Sequence, residues 1–175
     1  MITIQQLKLI MPFAGKRRET FLAPLNTTML SYTINTPLRQ AAFLAQLAHE
    51  SGSLRYVKEL ASGEAYEGRT DLGNVAEGDG VKYKGWGLIQ ITGRSNYQAC
   101  GSALGLDLLN HPELLEQPLE ACLSAGWFWQ SRRLNELADN KEFKKITKRI
   151  NGGYNGYEDR LKYYNIALKV LNEHT

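Results

Sequence analysis

Long apolar runs are missing from this 175-residue sequence. No stretch approaches the roughly twenty residues a helix needs to cross a bilayer, which removes the membrane-spanning helical class. Cysteine is scarce: Cys100 and Cys122 form no C-x-x-C pair and no metal-ligand spacing. The opening MITIQQLKLIMPFAGKRRETF lacks the succession of basic segment, apolar segment and small-residue cleavage site that directs export. The expectation is therefore synthesis in a reducing cytoplasm, with both thiols free. A strong charge of one sign is absent too. Twenty-one Lys and Arg against 18 Asp and Glu leave +3, too little to announce nucleic acid as a partner.

Familiar catalytic signatures are also lacking. His49-Glu50 would begin the zinc pattern H-E-x-x-H, but position 53 is Ser53, and His111 and His174 show no ligand spacing. No G-x-S-x-G elbow supports a serine nucleophile. Neither a metal nor a cofactor is expected. No repeat or low-complexity segment is present, and 43% hydrophobic against 22% charged residues is the balance of a folded chain. The length predicts a single domain over 1–175, and a monomer by default.

What is present is mostly helical pattern. Thr3 and Gln6 have capping-box spacing before a short helix closed by Pro12. A helix is expected from about Arg17 to Tyr32, where Phe21, Leu22, Leu25, Met29 and Leu30 recur. Thr36 reads as an N-cap with Pro37 in the first helical position, and the helix that follows should fail near Ser51-Gly52. Further helices are expected over Ser95–Leu104, about Pro118–Gln130 and about Lys141–Ile150. A last one carries Leu161, Tyr164, Leu168 and Leu171 on one face. Eleven of the sixteen glycines lie between Gly52 and Gly105. Residues 62–80 read as irregular loop, and the apolar run inside YKGWGLIQIT as a short strand. The fold expected is mainly α: helical lobes flanking a glycine-rich insert, with a short β element and a substrate cleft.

Glu50 shares a helix face with Phe43 and Leu47. A carboxyl held against apolar neighbours resists ionising, which is what a general acid requires. Acid–base cleavage of a glycosidic bond usually needs a second carboxylate, and the segment after Gly52 offers Glu59, Glu64, Glu67, Asp71, Glu77 and Asp79 without choosing among them. In YKGWGLIQITGRSNY, Gly85 and Gly87 allow a ligand close to the backbone. Gln90, Thr92 and Asn96 offer neutral hydrogen-bonding groups there, and Tyr83, Trp86 and Tyr97 offer flat faces, a combination suited to sugars, though a β-hairpin with a glycine turn would account for the same pattern. Eight basic residues against three acidic ones between Lys141 and Lys169 could draw the protein to an anionic polymer, or be only a solvated face.

AHESGS, then YKGWGLIQITGRSNY, AGWFW, and RINGGYNG followed by EDR resemble glycoside hydrolase family 19, which contains plant-type chitinases and many bacteriophage endolysins. The opening QQLKLIMP, INTPLRQAAFLAQLAHES and ELASGEAYEGRTDLGN are similar to the phage branch. The resemblance spans nearly the whole chain and implies an α+β, lysozyme-like fold, a single catalytic domain over 1–175 that leaves no room in these residues for a separate cell-wall-binding domain. It also implies an endolysin acting as an N-acetylmuramidase on the β-1,4 bonds of peptidoglycan, by an inverting two-carboxylate mechanism. In that mechanism the carboxyl groups stand roughly 6.5–9.5 Å apart. By resemblance Glu50 takes the place of the general acid, Glu59 that of the second carboxylate, with Glu67 its rival, and Thr92 that of the group helping to hold the attacking water. Gln90, Asn96, Asn151 and Arg160 fall where relatives line the substrate cleft or support its carboxylates. One departure stands out: relatives usually have G-R-G where this chain has Gly85-Trp86-Gly87. Reaching the wall from the cytoplasm would require a separate pore-forming partner. The competing readings are a chitinase on N-acetylglucosamine polymers, a lytic transglycosylase, and a wall-binding domain without catalysis.

Overall fold

The computed structural model describes residues 1–173, so His174 lies outside the described residues. Among these, helix dominates: α1 (Ile4–Ile10), α2 (Arg17–Ser31), α3 (Pro37–Glu50), α4 (Asp79–Lys82), α5 (Arg94–Leu104), α6 (Pro118–Ser131), α7 (Leu134–Asp139), α8 (Phe143–Asn151) and α9 (Tyr157–Asn172). The chain divides into two compact units. One is assembled from Met1–Arg55 and Trp129–Thr175, the other is the continuous stretch Tyr56–Phe128.

The first unit is built on α3. Thr36 caps it by accepting from Arg39 N, Pro37 opens it, and Ser51 ends it. Every residue from Ala41 to Ala48 is buried, so the helix is enclosed on all sides rather than amphipathic. Four of those eight are alanines, which lets neighbouring backbones come close, and α9 packs along its length. Phe43 meets Trp129 edge to face, with ring centres 5.3 Å apart. The capping box at Thr3 and Gln6 forms with both bonds present. Helix α7 was not anticipated. It starts after Arg133, whose positive φ of 56° breaks any continuous helical pattern with α6.

The second unit holds the glycine-rich segment. Three 3₁₀ turns, at Glu64–Tyr66, Thr70–Leu72 and Pro112–Glu116, interrupt what is otherwise loop around α4, α5 and most of α6. It is organised by polar staples. Arg94 donates two bonds to the Asp79 carboxylate, at 2.7 and 2.8 Å, and that carboxylate also accepts from Ala76 N. Fully buried Asn74 donates to Tyr66 O and accepts from Arg94 N. The strand expected within YKGWGLIQIT does not form. Two isolated antiparallel bridges, Lys58 with Trp86 and Trp86 with Ile91, are the only pairing among the described residues. The reason is local. Gly87 sits at φ +93°, and a Cβ there would lie 2.7 Å from Ser124 Oγ, so the backbone turns sharply where a strand would run on. Leu88, Ile89 and Ile91 are buried by this turn instead of by a sheet.

Candidate active site

In the first unit, Glu50 is the last residue of α3, at the point where the helix gives way to Ser51. Its Oε1 lies 2.6 Å from Arg160 Nη1, and the Glu50 side chain is 26% exposed while that of Arg160 is 2% exposed. Arg160 Nη1 also donates to Gln46 Oε1 at 2.7 Å, and Nε donates to Asn155 O at 3.1 Å. Gln46 in turn donates to Thr147 Oγ1 at 3.0 Å, and that hydroxyl donates to Phe143 O. The result is a buried polar chain through α3, α8 and α9 that ends on a partly exposed carboxyl group. A buried guanidinium without acceptors would be costly, so each link fixes the next. Beside it, His49 Nδ1 is 2.7 Å from Asp159 Oδ2. Gly156, at φ +69°, packs so closely on the His49 ring that a Cβ would overlap it.

In the second unit, Glu59 is half-buried. Its backbone N–H donates to Gly85 O, and its Oε2 accepts from the Tyr66 hydroxyl at 2.9 Å. Its Oε1 is buried and accepts from no protein donor. Burial, followed by the hydrogen bond to Glu59, pushes the Tyr66 phenol above its ordinary range, so Tyr66 stays a donor. Glu67 is placed differently: it is exposed, and its Oε2 takes a bond of 3.3 Å from Gly80 N. Thr92 follows the Trp86–Ile91 bridge, half-buried, with its carbonyl held by Asn96 Nδ2 at 2.8 Å. Gln90 is half-buried against Gly85, where a Cβ would come within 2.9 Å of the Gln90 Cβ. Trp86 is half-exposed, with the Lys58 and Lys84 ammonium groups 5.8 and 6.0 Å from its ring centre. Asn151 is exposed at the end of α8.

Three expectations need correction. Tyr83 and Tyr97 do not offer faces to a sugar. Both are fully buried, their rings 5.3 Å apart, and their hydroxyls donate to Leu109 O and Lys84 O. They are the core beneath the segment, not its binding surface. Nor is Glu50 held against apolar neighbours: its Oε1 meets the guanidinium of Arg160, which at 1% exposure supports that carboxyl from below. Gln46, Thr147 and Tyr66 went unassigned in the sequence, although Gln46 was visible as a polar residue inside an apolar helix.

No group of three or more His, Cys, Asp or Glu side chains placed to hold a metal occurs among the described residues. What the two units supply is carboxyl groups in defined hydrogen-bonded settings.

The family model described as Chitinase class I, that of glycoside hydrolase family 19, matches residues 32–141. A Haemophilus influenzae protein named as containing a glycosyl hydrolase family 19 domain is 34% identical over 168 residues, covering 78% of this chain and 82% of its own. An endochitinase of Arabidopsis thaliana is 41% identical over 114 residues, which is 65% of this chain but 39% of the plant protein. The chain thus spans well under half of that plant relative. Among solved structures, chitinase C from Streptomyces griseus superposes with a TM-score of 0.81 at 26% identity, covering 98% of this chain and 76% of that one. The helical, lysozyme-like fold class follows from that superposition.

Proposed function

Since the chain belongs to glycoside hydrolase family 19, we propose that it hydrolyses the β-1,4 glycosidic bonds of bacterial peptidoglycan as an N-acetylmuramidase of the endolysin type. In this reading Glu50 protonates the leaving glycosidic oxygen, while Glu59 takes a proton from the attacking water and Thr92 helps to hold that water. A single displacement of this kind inverts the anomeric centre. Trp86, Gln90, Asn96 and Asn151 contact the sugars, and Arg160 keeps the Glu50 carboxyl in place. Release from the cytoplasm falls to a separate pore-forming protein.

The observation that carries the assignment of the acid is the buried Arg160–Gln46–Thr147 chain ending on Glu50. Fixing the orientation of one carboxyl group serves proton delivery to one oxygen. Glu59 is favoured over Glu67 as the base by its own setting. One oxygen is held by Tyr66, and the other is an acceptor without a protein donor, whereas Glu67 is an exposed residue bonded to a backbone amide. A second reading, hydrolysis of chitin, is favoured by the relatives and structures named as chitinases.

The test is mass spectrometry of soluble fragments from purified peptidoglycan and from chitin, each digested with the parent protein and with Glu50→Gln. Reducing N-acetylmuramic acid ends from peptidoglycan, lost with Glu50→Gln, are the expected result. Reducing ends from chitin alone would replace the substrate. Anhydro ends would replace hydrolysis by transglycosylation, and binding without fragments would reject catalysis.

A further inference from the structure

Away from the residues given roles above, α8, the loop after it and the start of α9 enclose a groove of about 500 Å³ whose lining includes Lys141, Lys144, Lys145, Tyr154 and Tyr157. Tyr154 is 49% exposed. The Lys144 ammonium lies 5.0 Å from the Tyr154 ring centre and 5.4 Å from that of Tyr157, and the Lys148 ammonium lies 5.8 Å from Tyr154. The groove floor is rigid, because Phe143 and Tyr164 stack with centres 4.2 Å apart and planes 8° from parallel. Glu142 is engaged by Lys145 at 2.5 Å. No carboxylate pairs with Lys144 or Lys148 among the described residues, so both rest on aromatic faces.

We propose that this groove is a second glycan-binding site, taking a carboxylate-bearing N-acetylated glycan: a peptidoglycan strand with its stem peptides. The tyrosine rings give sugars an apolar face to lie on, and the lysines leave those rings to meet carboxylates. A lysine held only by cation–π contact at an exposed site gives up about 0.5–1 kcal/mol on leaving, and its four-carbon stem lets it follow the anion. An uncharged polymer would use the tyrosines and leave the lysines without purpose. A lipid surface is the poorer fit, since the feature is concave and presents no protruding apolar side chain.

The groove adjoins the residues that support Glu50: Phe143, which lines it, accepts from the Thr147 hydroxyl. Lys144, Lys148 and Asn151 share one face of α8 at spacings of four and three. Tyr154 sits in the loop whose far end, Gly156, packs on His49 beside Glu50. A strand held here is retained between cuts. The proposal rests on peptidoglycan being the substrate, and binding and cleavage are therefore read separately.

Co-sedimentation with insoluble peptidoglycan and with chitin, in the Glu50→Gln background, compares the parent surface with Lys144→Ala/Lys148→Ala and with Tyr154→Ala. Thermal melts confirm folding. The double lysine variant is expected to bind peptidoglycan about two- to threefold more weakly, because the gain of two exposed ion pairs is partly offset by the cation–π contacts given up, with chitin binding unchanged. Tyr154→Ala should weaken both. Folded variants that bind peptidoglycan like the parent would overturn the proposal, as would a lysine effect confined to anionic lipid vesicles. If the lysine variant binds more weakly but the parent with Glu50 restored releases no reducing ends, the groove stands and the hydrolytic reading falls. If the parent cleaves and the lysine variant binds normally, the reverse holds.

Discussion

Removing Arg160 should unsettle both stability and catalysis, by an amount the geometry sets. In Arg160→Met the apolar stem is kept and three acceptors lose their donor: Glu50 Oε1, Gln46 Oε1 and Asn155 O. Breaking a fully buried ion pair costs about 3–5 kcal/mol. The Glu50 side chain is 26% exposed and can be rehydrated in part, which lowers the carboxylate's share to about 2 kcal/mol. Gln46 is fully buried and cannot be rehydrated, adding about 1–2 kcal/mol for an orphaned acceptor. The sum is about 3–4 kcal/mol, or a fall in Tm of roughly 6–16 °C for a chain of this length. Arg160→Lys keeps the charge but cannot satisfy three acceptors with one ammonium group, and it should lose about half as much. Thermal melts followed by circular dichroism measure both. Kinetics on the same proteins should show kcat falling more than KM rises if Glu50 is the proton donor proposed above, because the loss is then in holding it. Adding Gln46→Leu to Arg160→Met should recover about 1 kcal/mol, since the second orphan is removed with the first. An Arg160→Met protein melting within 2 °C of the parent would refute the reasoning: the buried chain would then be no support for Glu50.

Tyr66→Phe removes the one protein donor to Glu59 Oε2 and should lower kcat about tenfold, while Glu67→Gln changes it less than twofold; equal losses in initial-rate assays would reverse the choice between Glu59 and Glu67. The Arg94 guanidinium beside Asp79 holds that carboxyl below the usual carboxylate range. Its contribution is therefore present above about pH 4 and lost as pH falls through the lowered value, so Asp79→Asn, about 2 kcal/mol less stable at pH 7, should converge on the parent as the pH is lowered in urea titrations. Burial pushes the Cys100 thiol up to about 12 and the Cys122 thiol higher still. Neither should react with a thiol reagent at pH 8 until denaturant is added, and stoichiometric labelling of native protein within minutes would contradict their burial.

The parts of this fold legible in the sequence are those fixed by neighbours in the chain. Thr3 with Gln6, and Thr36 with Pro37, announce helix starts because capping is settled within four residues. Glu50 was recognisable as a helix-end carboxyl, but the guanidinium that replaces its expected apolar setting comes from far along the chain. The apolar run Leu88–Ile91 was misread as a strand because periodicity reports burial without saying what does the burying. Tyr83 and Tyr97 were misplaced for a related reason. In a segment with so many glycines, nothing local dictates which way a ring faces. Arg160 is the instructive residue: it lies in phase with Tyr164, Ala167 and Leu171, the buried face of α9. A charged residue in an apolar register signals a partner at a distance, but not which one. Gln46, 114 residues away, could be named only from coordinates.

That separation bears on how the protein is made. The residues of the second unit leave the ribosome as one uninterrupted stretch, and they can find their partners as soon as Phe128 has emerged. The unit that carries Glu50 waits much longer. Its principal packing, α3 against α9, joins segments more than a hundred residues apart in sequence, so α3 must be kept from aggregating while those residues are added behind it. Until α9 arrives, Gln46 and Glu50 lack the arginine that organises them. The Glu50 carboxyl is thus set in place only after α9 has been made, and a chain stalled before Arg160 would lack the buried support of that carboxyl.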